Sequence, residues 1–252
     1  MRVVVLGASS GLGRCAAVGL GRAGHDVALL ARRKDRLDAA VEEIGGRAVG
    51  IACDVTDEQG CHDAVSEAAE HLGGIDALVY ATGVGIIGRL AEMDAATWTR
   101  TLATNVVGAA TATQAALPHL QASDGRAIYF SSVSASMTPA WPGLGAYIAS
   151  KAALDKLVEA WRIEHPEVGF TRLIVGDCGG GQGDSSIGFT DGWDMELATE
   201  FGRTWYEKGY IAGALLDVED LVAAIDGVLR LGSSAVVPTL AVLPRVPRPA
   251  DG

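Results

Sequence analysis

The chain has 252 residues, a formal net charge of −11, and 49% hydrophobic against 20% charged side chains. That length supports a large α/β core without staples, and the acidic balance opposes a broad nucleic-acid or anionic-membrane surface, which needs a positive field. Cys15, Cys53, Cys61 and Cys178 form no Cys-x-x-Cys pair, so no zinc ribbon, redox pair or other metal site is expected, and a reducing, cytoplasmic setting fits them.

In chain order, an apolar run at residues 3–6 ends in a glycine-rich turn, as a strand buried on both faces does. Helical character follows at 12–22, then a strand at 26–31 and a charged amphipathic helix at 34–44. A third strand is predicted at 47–53, a helix at 57–72 and a fourth strand at 75–81. A long helix at 97–120 precedes a fifth strand at 126–131. Another at 145–165, closed by Pro166, precedes a sixth strand at 169–175. Residues 176–192 read as loop, 218–231 as a helix and 235–242 as a last strand, with a proline-bearing flexible tail at 244–252. This alternation implies a Rossmann-type doubly wound parallel sheet of about seven strands, with helices on both faces. One domain is expected over residues 1–243. The passage from Met1 and Arg2 straight into a strand is unlike a signal peptide, and no apolar run approaches the ~20 residues of a membrane helix.

Gly7-Ala8-Ser9-Ser10-Gly11-Leu12-Gly13 lies between the first strand and the first helix. Glycines there allow positive φ and close approach, and the helix N-terminus offers N–H groups and a positive dipole end to a pyrophosphate. The turn alone would also serve as a tight strand-to-helix connection; its place after the first strand of a βαβ unit favours a dinucleotide site. An NAD site usually ends its second strand in Asp or Glu. Here Ala31 is followed by Arg32 and Arg33, and an arginine can hold a 2′-phosphate by paired hydrogen bonds, so NADP(H) is predicted over NAD(H). Asp54 can accept from the adenine amino group or cap a helix.

Tyr147 and Lys151 share one face of a predicted helix. A nearby ammonium favours the phenolate, with an attraction on the order of 4 kcal/mol at ~4 Å, so the lysine is expected to lower the tyrosine pKa. Ser131 and Ser132 end the fifth strand, and Asn105 lies on the long helix before it. With Gly7–Gly13, Asp54-Val55, Asn105-Val106-Val107-Gly108, Ser131-Ser132 and Tyr147-Ile148-Ala149-Ser150-Lys151 in this order, the sequence resembles the short-chain dehydrogenase/reductase family of ~250 residues, to about Val175. The resemblance implies a catalytic set. Tyr147 would exchange a proton with the substrate oxygen, and Ser132 would hold that oxygen. Lys151 would bind the nicotinamide ribose and lower the Tyr147 pKa, and Asn105 would hold a proton-relay water. Val55, Ala81 and Gly83 complete the expected cofactor contacts.

Three departures from the family pattern stand out. The fourth strand ends Tyr80-Ala81-Thr82-Gly83 where the family has Asn-Asn-Ala-Gly. Ser132 precedes Tyr147 by fifteen residues and Ser134 by thirteen, the usual spacing, so Ser134 competes; Ser132 is favoured by its place at the strand end. Gly176-Asp177-Cys178-Gly179 replaces the common Pro-Gly after the sixth strand.

Residues 178–210 are expected to form a substrate lid by resemblance. Its Trp193, Phe201, Trp205, Tyr206 and Tyr210, with Trp141 and Met137, suggest a largely apolar alcohol or ketone substrate; packing of the lid or a subunit contact explains them equally well. His119 and His165 end helices and are read neither as catalytic nor as ligands. The family commonly forms dimers and tetramers through the two long helices, so a homodimer or homotetramer is expected. An epimerase or dehydratase on the same site, or a non-catalytic NADP-binding regulator, are the alternatives.

Overall fold

The computed structural model describes residues 1–181, 183–186, 188–211 and 213–245. Most of the predicted tail, and Gln182 and Ile187 of the predicted lid, lie outside them. Seven parallel strands form one sheet in the order β3-β2-β1-β4-β5-β6-β7, the Rossmann-type arrangement expected. The strands are β1 (Arg2–Leu6), β2 (Asp26–Ala31), β3 (Ala48–Ala52), β4 (Ala77–Tyr80), β5 (Arg126–Ser132), β6 (Gly169–Val175) and β7 (Thr239–Val242).

The central strands are mostly apolar because both faces are covered. Along β1, Val4 and Leu6 face one core with Leu78 and Tyr80, under α3 (Glu58–Leu72) and α5 (Gly108–Ala122). Val3 and Val5 face the other with Ala77 and Val79, under α1 (Gly11–Arg22). The period of two sends neighbouring residues into different cores. Between β1 and β4 the sheet reverses its direction of growth, and such a switch opens a crevice beyond the carboxyl ends of the strands. Among the described residues no helix is long and apolar enough to cross a membrane.

One helical reading needs correction, and two helices were not predicted. The helix predicted over 97–120 is α4 (Ala95–Leu102), a π-helical turn at Ala103–Val107, and α5. Hydrophobic period does not reveal one residue's widening of a helix, so the sequence showed a continuous run. The predicted lid contains a helix, Met195–Glu207, capped by Asp194, whose carboxylate accepts from Glu196 N at 2.9 Å and Leu197 N at 3.2 Å. A four-residue helix, Val133–Ser136, also follows β5 and is capped by Ser132; it is too short to leave a hydrophobic period. In chain order the remaining helices are α2 (Lys34–Ile44), α6 (Val133–Ser136), α7 (Gly145–Glu164), α8 (Met195–Glu207) and α9 (Val218–Leu229).

Candidate active site

One cleft of about 800 Å³ runs along the carboxyl ends of the strands. Its wall takes in the glycine turn, Arg32 and Arg33 after β2, Asp54 and Val55 after β3, Ala81 and Gly83 after β4, Ser132 at the end of β5, and Tyr147 and Lys151 on α7. Asn105 is fully buried behind the wall.

At the glycine turn, close packing dictates the residue type. Gly7 has φ +84°, and a Cβ there would lie 2.7 Å from Thr82 N; a Cβ at Gly13 would lie 2.4 Å from Gly7 O. These two glycines bring α1 and the loop after β4 against β1. Gly11, at φ +56°, opens α1. Ser10 stands at the N-cap without capping through its side chain; its hydroxyl instead accepts from Arg33 Nη2 at 2.7 Å. Arg33 also donates to Ser9 Oγ at 3.1 Å, which folds the guanidinium over the turn. A helix N-terminus with a cation beside it is a donor set suited to phosphate groups, so the residues fit a dinucleotide.

Asp54 is not a helix cap: Asp57 caps α3, through Gly60 N at 3.2 Å. Asp54 Oδ1 accepts from Thr56 N at 3.0 Å and Thr56 Oγ1 at 2.7 Å, which holds its carboxyl below the usual carboxylate range, with Arg32 assisting. Arg100, on α4, also reaches the wall of the cleft. Sequence reasoning missed it; its place one turn before Thr104 and two before Gly108 was the available signal.

At the other end, the Tyr147 phenol lies beside the Ser132 hydroxyl, which opposes the effect of burial on it. Ser132 Oγ lies 2.9 Å from Ser134 Oγ, and Ser134 is buried behind it. Both serines line the cleft with Tyr147, and the helix Val133–Ser136 takes up the longer spacing from Ser132.

The expected lowering of the tyrosine is not met. Burial pushes the Tyr147 phenol up to about 12, against the opposing effect of the Ser132 hydroxyl. Burial acts on Lys151 as well. It is itself buried, which brings its ammonium down to about 8, opposed by Asp155 one turn along α7. Its Nζ donates to Phe130 O at 2.6 Å and stands 5.8 Å from the centre of the Tyr147 ring.

Asn105 lies in the π turn. Its Oδ1 accepts from Val84 N at 2.8 Å, and its Nδ2 donates to Val84 O at 3.0 Å and Ser150 Oγ at 2.8 Å. Ser150 in turn donates to Tyr147 O at 2.6 Å, joining the loop after β4 to the helix that carries Tyr147 and Lys151. The side-chain amide thus meets protein partners on both its oxygen and its nitrogen.

The aromatic residues divide. Phe201 and Trp205 are buried with Trp141; Trp141 stacks 6.1 Å from Tyr210, and Trp193 lies 6.3 Å from Trp205. Their indoles are fixed to loop oxygens, Trp193 Nε1 to Gly85 O at 2.8 Å and Trp205 Nε1 to Pro142 O at 2.9 Å. Most of these rings pack the segment onto the body of the fold. The ring set against Tyr147 is Phe189, edge-on at 4.9 Å, which sequence reasoning missed inside a glycine-rich stretch. A Cβ at Gly85 would lie 2.1 Å from the Phe189 ring, so a glycine there seats it. Met137 is half exposed, and Tyr206 is exposed.

A family model described as short chain dehydrogenase matches residues 1–179. The chain is 37% identical over 167 residues to 11-beta-hydroxysteroid dehydrogenase 1A of Arabidopsis thaliana, covering 64% of this chain and 47% of that protein. It is 30% identical over 202 residues to meso-2,3-butanediol dehydrogenase of Serratia marcescens, covering 80% and 78%. An alcohol dehydrogenase from the archaeon Thermococcus sibiricus, solved with 5-hydroxy-NADP, superimposes with a TM-score of 0.79 at 25% identity over 99% of this chain and 98% of that one. The chain spans less than two thirds of several relatives it matches: 18%, 61% and 47% of three of them. From the matched model and this agreement in fold, the chain belongs to the short-chain dehydrogenase family of oxidoreductases.

Proposed function

We propose that the protein is an NADP(H)-dependent oxidoreductase acting on the alcohol or carbonyl carbon of a largely apolar small molecule. The observation that carries this reading is one cleft with a cation-flanked glycine turn at one end and the Tyr147 phenol, beside Ser132, at the other. The glycine turn, with Ser9, Ser10 and Leu12, would hold the pyrophosphate, Arg32 and Arg33 the 2′-phosphate, and Asp54 and Val55 the adenine. Ala81, Gly83 and Lys151 would hold the nicotinamide half. When bound, that group supplies or accepts the hydride.

The chain's own residues handle the proton. A phenol near 12 is protonated at neutral pH, so Tyr147 is a ready donor to a carbonyl oxygen as that oxygen gains charge. Ser132 gives the oxygen a second hydrogen bond and fixes it beside the phenol. Reduction is the direction these protonation states favour. Trp141, Leu144, Phe189 and Ile211 line the substrate end and exclude water, which suits an apolar carbonyl compound.

Residues 178–210 serve as the lid of one catalytic domain spanning 1–243, which self-associates as a dimer or tetramer. A cytoplasmic location fits the four free thiols. The test is turnover of purified protein with NADPH and a panel of ketones and aldehydes. Tyr147→Phe is expected to lower kcat by roughly 100- to 10,000-fold while NADPH still binds. Tight NADPH binding with no turnover of any carbonyl compound would make the protein a nucleotide-binding regulator instead.

A further inference from the structure

Tyr80 occupies the end of β4, where the family pattern has asparagine, and nothing in the reaction above uses it. It is fully buried and points away from the cleft wall into the core beneath α5. Its hydroxyl donates to Thr104 O at 2.5 Å. Thr104 is the residue before Asn105, inside the π turn. The phenol oxygen also abuts the next helix: a Cβ at Gly108 would lie 2.8 Å from it. A π turn is a poorer hydrogen-bonded arrangement than the α-helix on either side, and it persists where side chains hold it.

We infer that Tyr80 is a positioning residue that latches the π turn through Thr104 and so aims Asn105 at Val84 and Ser150. The chain of contacts runs from the Tyr80 hydroxyl to the Thr104 carbonyl, from the neighbouring Asn105 amide to Val84 and Ser150, and from Ser150 to the Tyr147 backbone. The strand that lacks the family's asparagine thus still controls the catalytic helix, from below the sheet's carboxyl edge. Glycine at 108 is part of the same device, since any side chain there would displace the phenol or Val55, 2.7 Å away. The link to catalysis rests on the proposed function; the latch itself does not.

The test is amide hydrogen exchange on the full chain as wild type, Tyr80→Phe, Asn105→Ala and the double variant, beside kcat with NADPH and a carbonyl substrate. Val84 N–H is the reporter because it donates to Asn105. Tyr80→Phe keeps the ring and removes one hydrogen bond, so exchange at Val84 and at residues 103–108 is expected to rise roughly tenfold. Amides of β6 should stay unchanged, and the double variant should exchange at Val84 no faster than Asn105→Ala alone. In Tyr80→Phe kcat is expected to fall roughly tenfold, with the KM for NADPH unchanged, and the fall should vanish in the Asn105→Ala background. Val84 protection at the wild-type level in Tyr80→Phe, or a uniform rise across the sheet, overturns the latch. A wild type without turnover defeats the proposed function and leaves exchange to judge Tyr80. If Tyr80→Phe does not fold, Gly108→Ala, which crowds the same oxygen, must show the same local signature or the latch is wrong.

Discussion

At the glycine-turn end of the cleft the wall is drawn from turns that follow the strands: Gly7–Gly13 after β1, Arg32 and Arg33 after β2, Asp54 after β3. At the Tyr147 end it is drawn from separate elements, with Ser132 on β5, Tyr147 on α7, Phe189 before α8 and Trp141 in the loop between α6 and α7. The first end works through local conformation, where a glycine at positive φ or a helix start suffices. The second works through packing at a distance, where one ring's place depends on several loops. Substitutions at the two ends should therefore fail in different ways, one through cofactor binding and the other through fold stability and turnover.

The largest expected effect apart from Tyr147→Phe contrasts two neighbours on α8. Trp205 is buried and Tyr206 is exposed. Trp205→Ala should lower unfolding free energy by about 3–5 kcal/mol in denaturant titration, while Tyr206→Ala stays within about 0.5 kcal/mol. Equal losses would show that the aromatic cluster does not anchor the segment. At the other end, Arg33→Ala should weaken NADPH binding roughly 10- to 100-fold in fluorescence titration and leave NADH nearly unchanged. An equal loss for both would reassign the arginine from the 2′-phosphate to the turn it already braces.

The pH response sharpens the comparison further. Oxidation of an alcohol needs the Tyr147 phenolate, which is scarce far below a value near 12, so the oxidative rate should climb by up to about tenfold per pH unit. Reduction needs the protonated phenol, present throughout that range, and its rate should be flat in stopped-flow assays from about pH 6 to about pH 8. An oxidative rate already saturated near pH 7 would mean that bound cofactor redirects Lys151 toward the phenol.

The order of strands, the parallel sheet and most candidate residues at strand ends were legible because burial on both faces writes an apolar run, and glycine and charge mark where each run stops. Asp26–Ala31, Lys34–Ile44 and Gly169–Val175 have the bounds expected from the pattern alone. The π turn, the role of Ser150, Arg100 and the ring of Phe189 were not legible. Ser150 and Phe189 depend on partners far along the chain, the π turn on one residue's widening, and Arg100 showed only in its helical spacing to Thr104 and Gly108. The pKa expectation failed because helical spacing placed Lys151 beside Tyr147 but could not show that burial would dominate both, or that Phe130 would hold the ammonium.

By itself the sequence determined the sheet, its crevice and the family, since period, glycine placement and motif order are properties of short segments. The inward turn of Asn105, the Phe130 contact of Lys151 and the packing of most aromatics in residues 178–210 emerged only in the assembled fold. Those outcomes are set by which side chains fill the same space once distant elements close together, and close packing admits one arrangement that no single segment encodes.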